Sequence, residues 1–557
     1  MSHGTNNIMH TRTVLPLFLL AVSLHCTAAG QTSPPPRLVV VITLDQFPYE
    51  YLVRFGPWFG KGGFRRLMTD GANFTNASYK HAVTLTGPGH AVILSGTYGN
   101  QNGIIANTWY DIGRHASVYC VDDAAVTVVG CSGTGKSPAL FVGSTYGDEL
   151  RITTGFRAKT VAVSHKDRAA ILTGGKLANG AYWMSDSSFV SSTYYMHALP
   201  GWARAFNASG AINACFGRVW NARVPQAAFE GLDPDDVPWE DGANGLGRTF
   251  PHRITGDNRS VITSSFYHAM IESPYGNEVL ASFAKAAVRG EELGKRGVTD
   301  LLAVSFSSTD YVGHAFGPHS REELELTVAT DSIIADFLSF LDAELGAGSY
   351  IAVLTSDHGV APMPEYITAH RPGWDAGRVP TDSIAGRCER ALEARWGKPA
   401  SGFRWIEKTT DRNIYLRRQV LQEFRVPAEA AAAAAAVALA GLRGIAGAYT
   451  RGEIESGAPH AVLGGKLQRS YYPSRSGDLV YVLKPYFLQG SESVGTSHGE
   501  PYEYSAHVPL IIMGAGIRPG MYPMEASPAD LAPTLSVLTG VELPAAREGR
   551  VLTEALR

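Results

Sequence analysis

Residues 84–91 read Thr-Leu-Thr-Gly-Pro-Gly-His-Ala and run directly into the apolar segment Val92-Ile93-Leu94. Gly87 and Pro88 form a loop that can lead into a helix, because proline is tolerated in a first turn where its missing N–H would be unpaired anyway. The Thr86 hydroxyl then lies near free backbone N–H groups and the positive end of the helix dipole, a suitable place for an anion. Gly96 stops the segment, so the helix is short. Taken alone, a threonine at this position reads better as an ordinary N-cap.

Aspartate and histidine elsewhere in the chain change its weight. Asp45 ends the apolar run Leu38-Val39-Val40-Val41-Ile42-Thr43-Leu44, Asp310 and His314 follow residues 301–306, and Asp357-His358 follow Ile351-Ala352-Val353-Leu354. His498 lies in Gly495-Thr496-Ser497-His498-Gly499, ahead of the apolar run 508–513. Acidic and imidazole groups recurring at strand ends predict ligands gathered on one edge of a parallel sheet, where open α/β folds place their sites.

Asp310 and His314 are four apart and can share a helix face, and His498 can complete a three-ligand zinc site. Asp45, Asp357 and His358 can hold a second zinc, with the Thr86 oxygen as fourth ligand. Three protein ligands and an open position are the pattern of catalytic zinc, and paired ions clamp attacking and leaving oxygens. A metal also answers how a threonine hydroxyl, hardly ionised at neutral pH, becomes a nucleophile. Three histidines argue against magnesium, which prefers oxygen ligands. Read singly, each Asp or His is also a satisfied cap or core residue.

Charge favours a phosphate substrate. Two zinc ions against the carboxylates of Asp45, Asp310 and Asp357 and a Thr86 alkoxide leave the site neutral, and Lys166 with Arg168 make it doubly positive. A phosphate monoester dianion balances that. Those two cations follow the short strand expected over 159–164; if the strand ran on through them they would point the same way and reach one anion. A plain surface pair is the alternative.

The whole chain, at 557 residues, can bury a large core and a smaller second unit. A net charge of −3 shows no nucleic-acid footprint. Arg12, the apolar segment 14–22 and Thr27-Ala28-Ala29 predict a signal peptide over 1–30 and no stable membrane insertion afterwards. Translation from Met9 and lipidation at Cys26 are weaker variants of that reading. Cys120 and Cys131 suit a local disulfide in an oxidising compartment, or buried free thiols.

Residues 130–137, Gly-Cys-Ser-Gly-Thr-Gly-Lys-Ser, match the phosphate-loop pattern, but Pro138 and Phe141-Val142-Gly143 promise no helix after it, so the segment reads as a coincidental glycine-rich loop. Residues 104–109 read as extended and carry Asn107. Residues 180–250 read as hairpins and loops, 265–288 as helix broken at Pro274, and 321–345 as a long helix. Residues 362–497 read as an inserted α+β cap, with helices over 382–396 and 428–440 and strands over 403–406, 413–416 and 479–483. The resulting division is a core over 36–361, the cap over 362–497 and the rest of the core over 498–557.

Asp45, Thr86 in Thr-x-Pro-x-His-Ala, Asp310-xxx-His314, Asp357-His358-Gly359 and His498-Gly499 together resemble the alkaline phosphatase superfamily, in particular its periplasmic PafA-like branch with a threonine nucleophile, related to nucleotide pyrophosphatase/phosphodiesterases. The resemblance implies an α/β fold with a central, mostly parallel sheet flanked by helices and an inserted α+β cap. It implies two Zn²⁺ per chain, one at Asp310, His314 and His498, the other at Asp45, Thr86, Asp357 and His358. It further implies that Asn107 donates to a phosphoryl oxygen, that Lys166 and Arg168 complete a monoester pocket, and that small phosphate monoesters are hydrolysed in the periplasm through a phosphothreonine. Gly87 stands where relatives often carry a larger residue. A phosphodiesterase or nucleotide pyrophosphatase, and a non-catalytic zinc-binding envelope protein, are the alternatives.

Overall fold

The computed structural model describes residues 1–4, 35–242, 244–458 and 461–557. The export signal expected over 1–30, with Arg12, Cys26 and Thr27-Ala28-Ala29, falls outside the described residues apart from residues 1–4. Pro35–Arg557 forms one compact body.

Its centre is a sheet of ten strands: β1 (Leu38–Leu44), β2 (Gly71–Phe74), β3 (Val128–Val129), β4 (Thr160–Ser164), β5 (Gly180–Ser185), β6 (Ser188–Ser192), β7 (Asp300–Phe306), β8 (Tyr350–Ser356), β9 (Leu510–Gly514) and β10 (Gly520–Tyr522). The spatial order is β10-β2-β9-β8-β1-β7-β4-β5-β6-β3. The middle strands β8, β1, β7, β4 and β5 are parallel, whereas β9 enters antiparallel against β8 and β2. Every residue of β1, β7 and β8 is buried, which is why these strands read as unbroken apolar runs rather than alternating ones.

Side chains alternate between two cores. Val40 and Ile42 face one, with helices α3 (Pro274–Gly290) and α5 (Arg321–Leu345) packed over it through Leu280, Phe283, Ile334 and Phe337. Val39 and Val41 face the other, covered by α1 (Thr86–Ser95), α2 (Asp167–Gly174) and α6 (Leu531–Thr539) through Ile93, Ile171 and Leu535. Helix α4 (Ser308–Phe316) starts two residues after β7.

A second sheet of four antiparallel strands orders 406–410, 413–416, 479–483 and 445–450 side by side. Helices Thr381–Trp396 and Ala428–Ala440 lay Cys388, Leu392, Ala431 and Leu439 on it as a core of its own. The strand over 445–450 and the helix Arg451–Ser456 have no counterpart in the sequence reading.

Two expectations are corrected. The strand before Lys166 does not continue through Arg168: it ends at Ser164, and Lys166 is the N-cap of α2 with Asp167 and Arg168 in the first turn. No Cys120–Cys131 bridge forms; the four cysteines among the described residues are free thiols, Cys120 buried near Gly87 and Cys131 exposed beside Ser185. The 130–137 loop follows the two-residue β3, and Lys136 in it is paired with Asp122. Among the described residues no helix is long and apolar enough to cross a membrane.

Candidate metal centre and nucleophile

Register places the site. Leu44 at the end of β1 pairs with Phe306 of β7 and Ser356 of β8, so Asp45, α4 and Asp357-His358 all emerge at the same edge. The antiparallel direction of β9 brings the residues before it to that edge too: Leu510 pairs with Thr355 near the end of β8. His498 arrives in this way. Two clusters result, Asp310 with His314 and His498, and Asp45 with Asp357 and His358, each with ligand atoms within 4.8 Å of one another.

The donor set fits zinc. His314 Nδ1 donates to Thr496 O (2.7 Å), His498 Nδ1 to Thr84 O (2.8 Å) and His358 Nδ1 to Gly359 O (3.0 Å), which leaves all three Nε2 atoms facing the carboxylates. Nε2 lies 3.3 Å from Asp310 Oδ1 for His314, 3.6 Å for His498, and 3.3 Å from Asp357 Oδ2 for His358. Backbone acceptors of this kind fix tautomer and ring plane and raise ligand basicity. Asp45 Oδ1 is buried and accepts no hydrogen bond, an arrangement that burial would penalise without a cation. Burial, with His358 and His314 nearby, holds the His498 imidazole well below its usual range, hence neutral and able to ligate. Mixed imidazole and carboxylate donors suit Zn²⁺. The two clusters are capable of coordinating metal ions as a two-zinc site requires.

Thr86 begins α1, after Leu85 in extended conformation. Its Oγ1 stands 3.4 Å from His358 Nε2 and 3.4 Å from Arg168 Nη2. Gly89, one turn on, presses the helix against Asp357: a Cβ there would sit 2.1 Å from Asp357 O. Gly87 is braced through its backbone, its N–H donating to Asn107 Oδ1 at 2.7 Å, and that contact turns the Asn107 amide NH₂ away from the α1 backbone.

The two cations take different places. Arg168 reaches Thr86 and is propped by Tyr119, whose hydroxyl accepts from Nη1 (3.1 Å) and donates to Asp167 Oδ1 (2.6 Å). Lys166 instead lies between the clusters, 2.5 Å from Asp310 Oδ2 and 2.8 Å from Asp45 Oδ2. Burial opposes its charge, but Asp310 and Asp45 outweigh that and hold the ammonium above its usual range. Burial likewise opposes the Asp310 carboxylate, and Lys166 and His314 pull it well below the ordinary value.

Three contributors escape sequence reading. Gln46 bridges the clusters, its N–H donating to Asp357 Oδ1 (3.1 Å) and its Nε2 to Asp310 Oδ1 (2.8 Å), from a left-handed φ of 61°. Such a conformation in a non-glycine residue is retained where the surroundings over-determine it. Nothing in a glutamine after a strand marks it in advance. His90 places Nδ1 3.0 Å from Asp357 Oδ2 and Nε2 2.8 Å from Ser305 Oγ, though the sequence showed it only as motif context. Tyr119 gives no signal at all.

A family model described as Type I phosphodiesterase / nucleotide pyrophosphatase matches residues 39–485. The chain is 35% identical over 538 residues to alkaline phosphatase PhoV of Synechococcus elongatus, covering 95% of this chain and 94% of that protein. It is 31% identical to alkaline phosphatase PafA of Elizabethkingia meningoseptica, covering 94% and 95% respectively. The crystal structure of wild-type PafA superposes with a TM-score of 0.88 at 30% identity, over 94% of this chain and 100% of that one. The chain therefore belongs to the type I phosphodiesterase/nucleotide pyrophosphatase family, as a PafA-like hydrolytic enzyme of the alkaline phosphatase superfamily.

Proposed function

We propose that the enzyme hydrolyses small phosphate monoesters to an alcohol and inorganic phosphate through a phosphothreonine at Thr86, with two zinc ions per chain. The observation that carries this is the position of Thr86 Oγ1, at a helix start between His358 Nε2 and Arg168 Nη2, both at 3.4 Å. Asp45, Thr86, Asp357 and His358 would hold one ion and Asp310, His314 and His498 the other; bound zinc supplies Lewis-acid polarisation of the attacking and leaving oxygens.

Thr86 Oγ1 attacks phosphorus in line, the bond from phosphorus to the ester oxygen breaks, and the alcohol leaves. Water then attacks the phosphothreonine, the bond to Oγ1 breaks, and phosphate departs with the threonine hydroxyl restored. Asn107 donates its side-chain N–H to a phosphoryl oxygen, and Arg168 offers a fixed fork to the same group. Lys166 offsets two buried carboxylates and meets the dianion with its remaining N–H. Positive groups placed in advance around the transferring group supply most of the stabilisation. Export through the 1–30 leader to the periplasm is part of this proposal, and it agrees with the relationship to PafA.

A diesterase reading is favoured by one observation, that Lys166 is engaged by carboxylates on two sides. Replacing Lys166 and Arg168 together by Ala tests the choice. With both zinc ions retained by elemental analysis, kcat/KM should fall much further on p-nitrophenyl phosphate than on its bis ester. Equal losses on both would remove these residues as the specificity device and restore the diesterase.

A further inference from the structure

The hairpin formed by the strands Ile406–Thr410 and Asn413–Leu416 turns through only two residues, Asp411 and Arg412, with φ of 40° and 69°. A two-residue turn with both φ positive favours Asn-Gly, since a Cβ is disfavoured there. This chain carries Asp-Arg instead, and both side chains reach across to the candidate centre. Asp411 Oδ2 accepts the Thr108 N–H at 3.0 Å, the N–H of the peptide that joins Asn107 to Thr108. The peptide after Asn107 is thereby held on both edges, by Asp411 at the Thr108 N–H and by Cys120 N at the Asn107 carbonyl (2.9 Å), while Gly87 N holds Asn107 Oδ1 (2.7 Å). Its side-chain NH₂ is left for another partner. Arg412, on the other flank, pairs with buried Glu500, whose carbonyl accepts the Thr84 hydroxyl (2.8 Å). The turn also borders a cavity of about 220 Å³ that extends to Leu85 and His498.

We infer that Asp411 is a positioning residue for phosphoryl transfer: its carboxylate, delivered by the tip of this hairpin, fixes the Asn107 backbone so that the Asn107 amide is aimed at a phosphoryl oxygen. The inference rests on the role proposed above for Asn107. A turn whose backbone is strained for the sake of its side chains lies in contact with the site, as expected where strain serves placement. Loss of the carboxylate frees the Asn107 segment to shift, and misplacement of about 1 Å in a group that acts on the transition state costs on the order of 10- to 100-fold in rate.

The test uses the zinc-loaded enzyme and p-nitrophenyl phosphate. Asp411→Gly removes the acceptor while relieving the left-handed backbone, and Asp411→Asn keeps an acceptor oxygen in a residue that tolerates that conformation. Asp411→Gly should lose about 10- to 100-fold in kcat, with unchanged zinc content and unfolding temperature, while Asp411→Asn recovers most of the rate. In an Asn107→Ala background the same Asp411→Gly change should cost less than about threefold, because residues that act as one unit are not additive. Wild-type kcat in Asp411→Gly, or a full additional loss in the Asn107→Ala background, overturns the inference. Wild-type kcat in Asn107→Ala alone is a different failure: it removes the role of Asn107, and the inference with it.

Discussion

Gly89→Ala isolates how closely α1, the helix of the proposed nucleophile, must approach the ligand strand. The added Cβ would lie 2.1 Å from Asp357 O and 2.8 Å from both Asp357 C and Cβ. Neither side yields easily: Asp357 lies in line with β8 and its Oδ1 accepts from Gln46 N, while the Gly89 N–H is bonded to Leu85 O at 2.9 Å. To restore an ordinary contact, α1 must withdraw from Asp357 by about 1 Å or more, and Thr86, one turn earlier, moves with it. The expected cost is about 1–3 kcal/mol of stability from overpacking and about 100-fold in kcat from the displaced nucleophile. Urea unfolding, zinc analysis and steady-state turnover of p-nitrophenyl phosphate measure the three quantities separately. Gly201→Ala is the control, since nothing lies within 4 Å of a Cβ there and the residue begins a helix; it should match the parent or gain slightly. A Gly89→Ala enzyme with parental stability and kcat would refute the claim that this contact sets the position of Thr86.

Elemental analysis of enzyme purified without chelator should give two zinc ions per chain, chelation should abolish turnover and added Zn²⁺ restore it; full activity without a transition metal would end the zinc assignment. Acid quench and peptide mapping should find phosphate on Thr86, and Thr84→Ala should leave it there, because the Thr84 hydroxyl donates to Glu500 O; phosphate on Thr84 would overturn the nucleophile. Burial pushes the Glu272 carboxyl up to about 7 despite its bonds from Asn244, so the fold binds a proton that the unfolded chain, with an ordinary value of 4.5, releases. Its contribution to stability is therefore fully present near pH 4.5 and lost as pH rises through 7, and Glu272→Gln should flatten that window in urea unfolding; an unchanged difference between pH 5 and 8 would show the carboxyl is not protonated in the fold.

Residues whose environment is uniform were the legible ones. β1, β7 and β8 are buried on both faces, so their strings are apolar throughout. Helix α5 runs over Arg321–Leu345 as expected, because Ser320 caps it by accepting from Glu323 N at 3.0 Å and Gly346 ends it at φ 93°. The Lys166-Asp167-Arg168 stretch was misread because a spacing of two fits a strand; the acidic residue in a first turn, followed by Ala169-Ala170-Ile171-Leu172, was the helix signal available. The strand over 445–450 was missed because Gly447 and two alanines leave it without an alternating apolar pattern. In the site, ligands of distinctive chemistry could be picked out by type and position. Gln46 and Tyr119 could not, since their parts depend on hydrogen bonds to residues hundreds or tens of positions away.

The antiparallel entry of β9 has a bearing on how the enzyme is made. His498 bonds the Thr84 carbonyl across 414 residues of sequence, and Gln46 bonds Asp357 across 311. A centre closed by contacts so remote carries a high loop-closure cost, which slows folding. Residue 498 leaves the ribosome last among the ligands, so neither the parallel strands nor the nucleophile helix can complete the Asp310 cluster during synthesis. Metal capture there is thereby tied to a chain made past residue 498, and an ion bound at that cluster would fasten early and late segments together, adding its binding energy to the fold only once they have met.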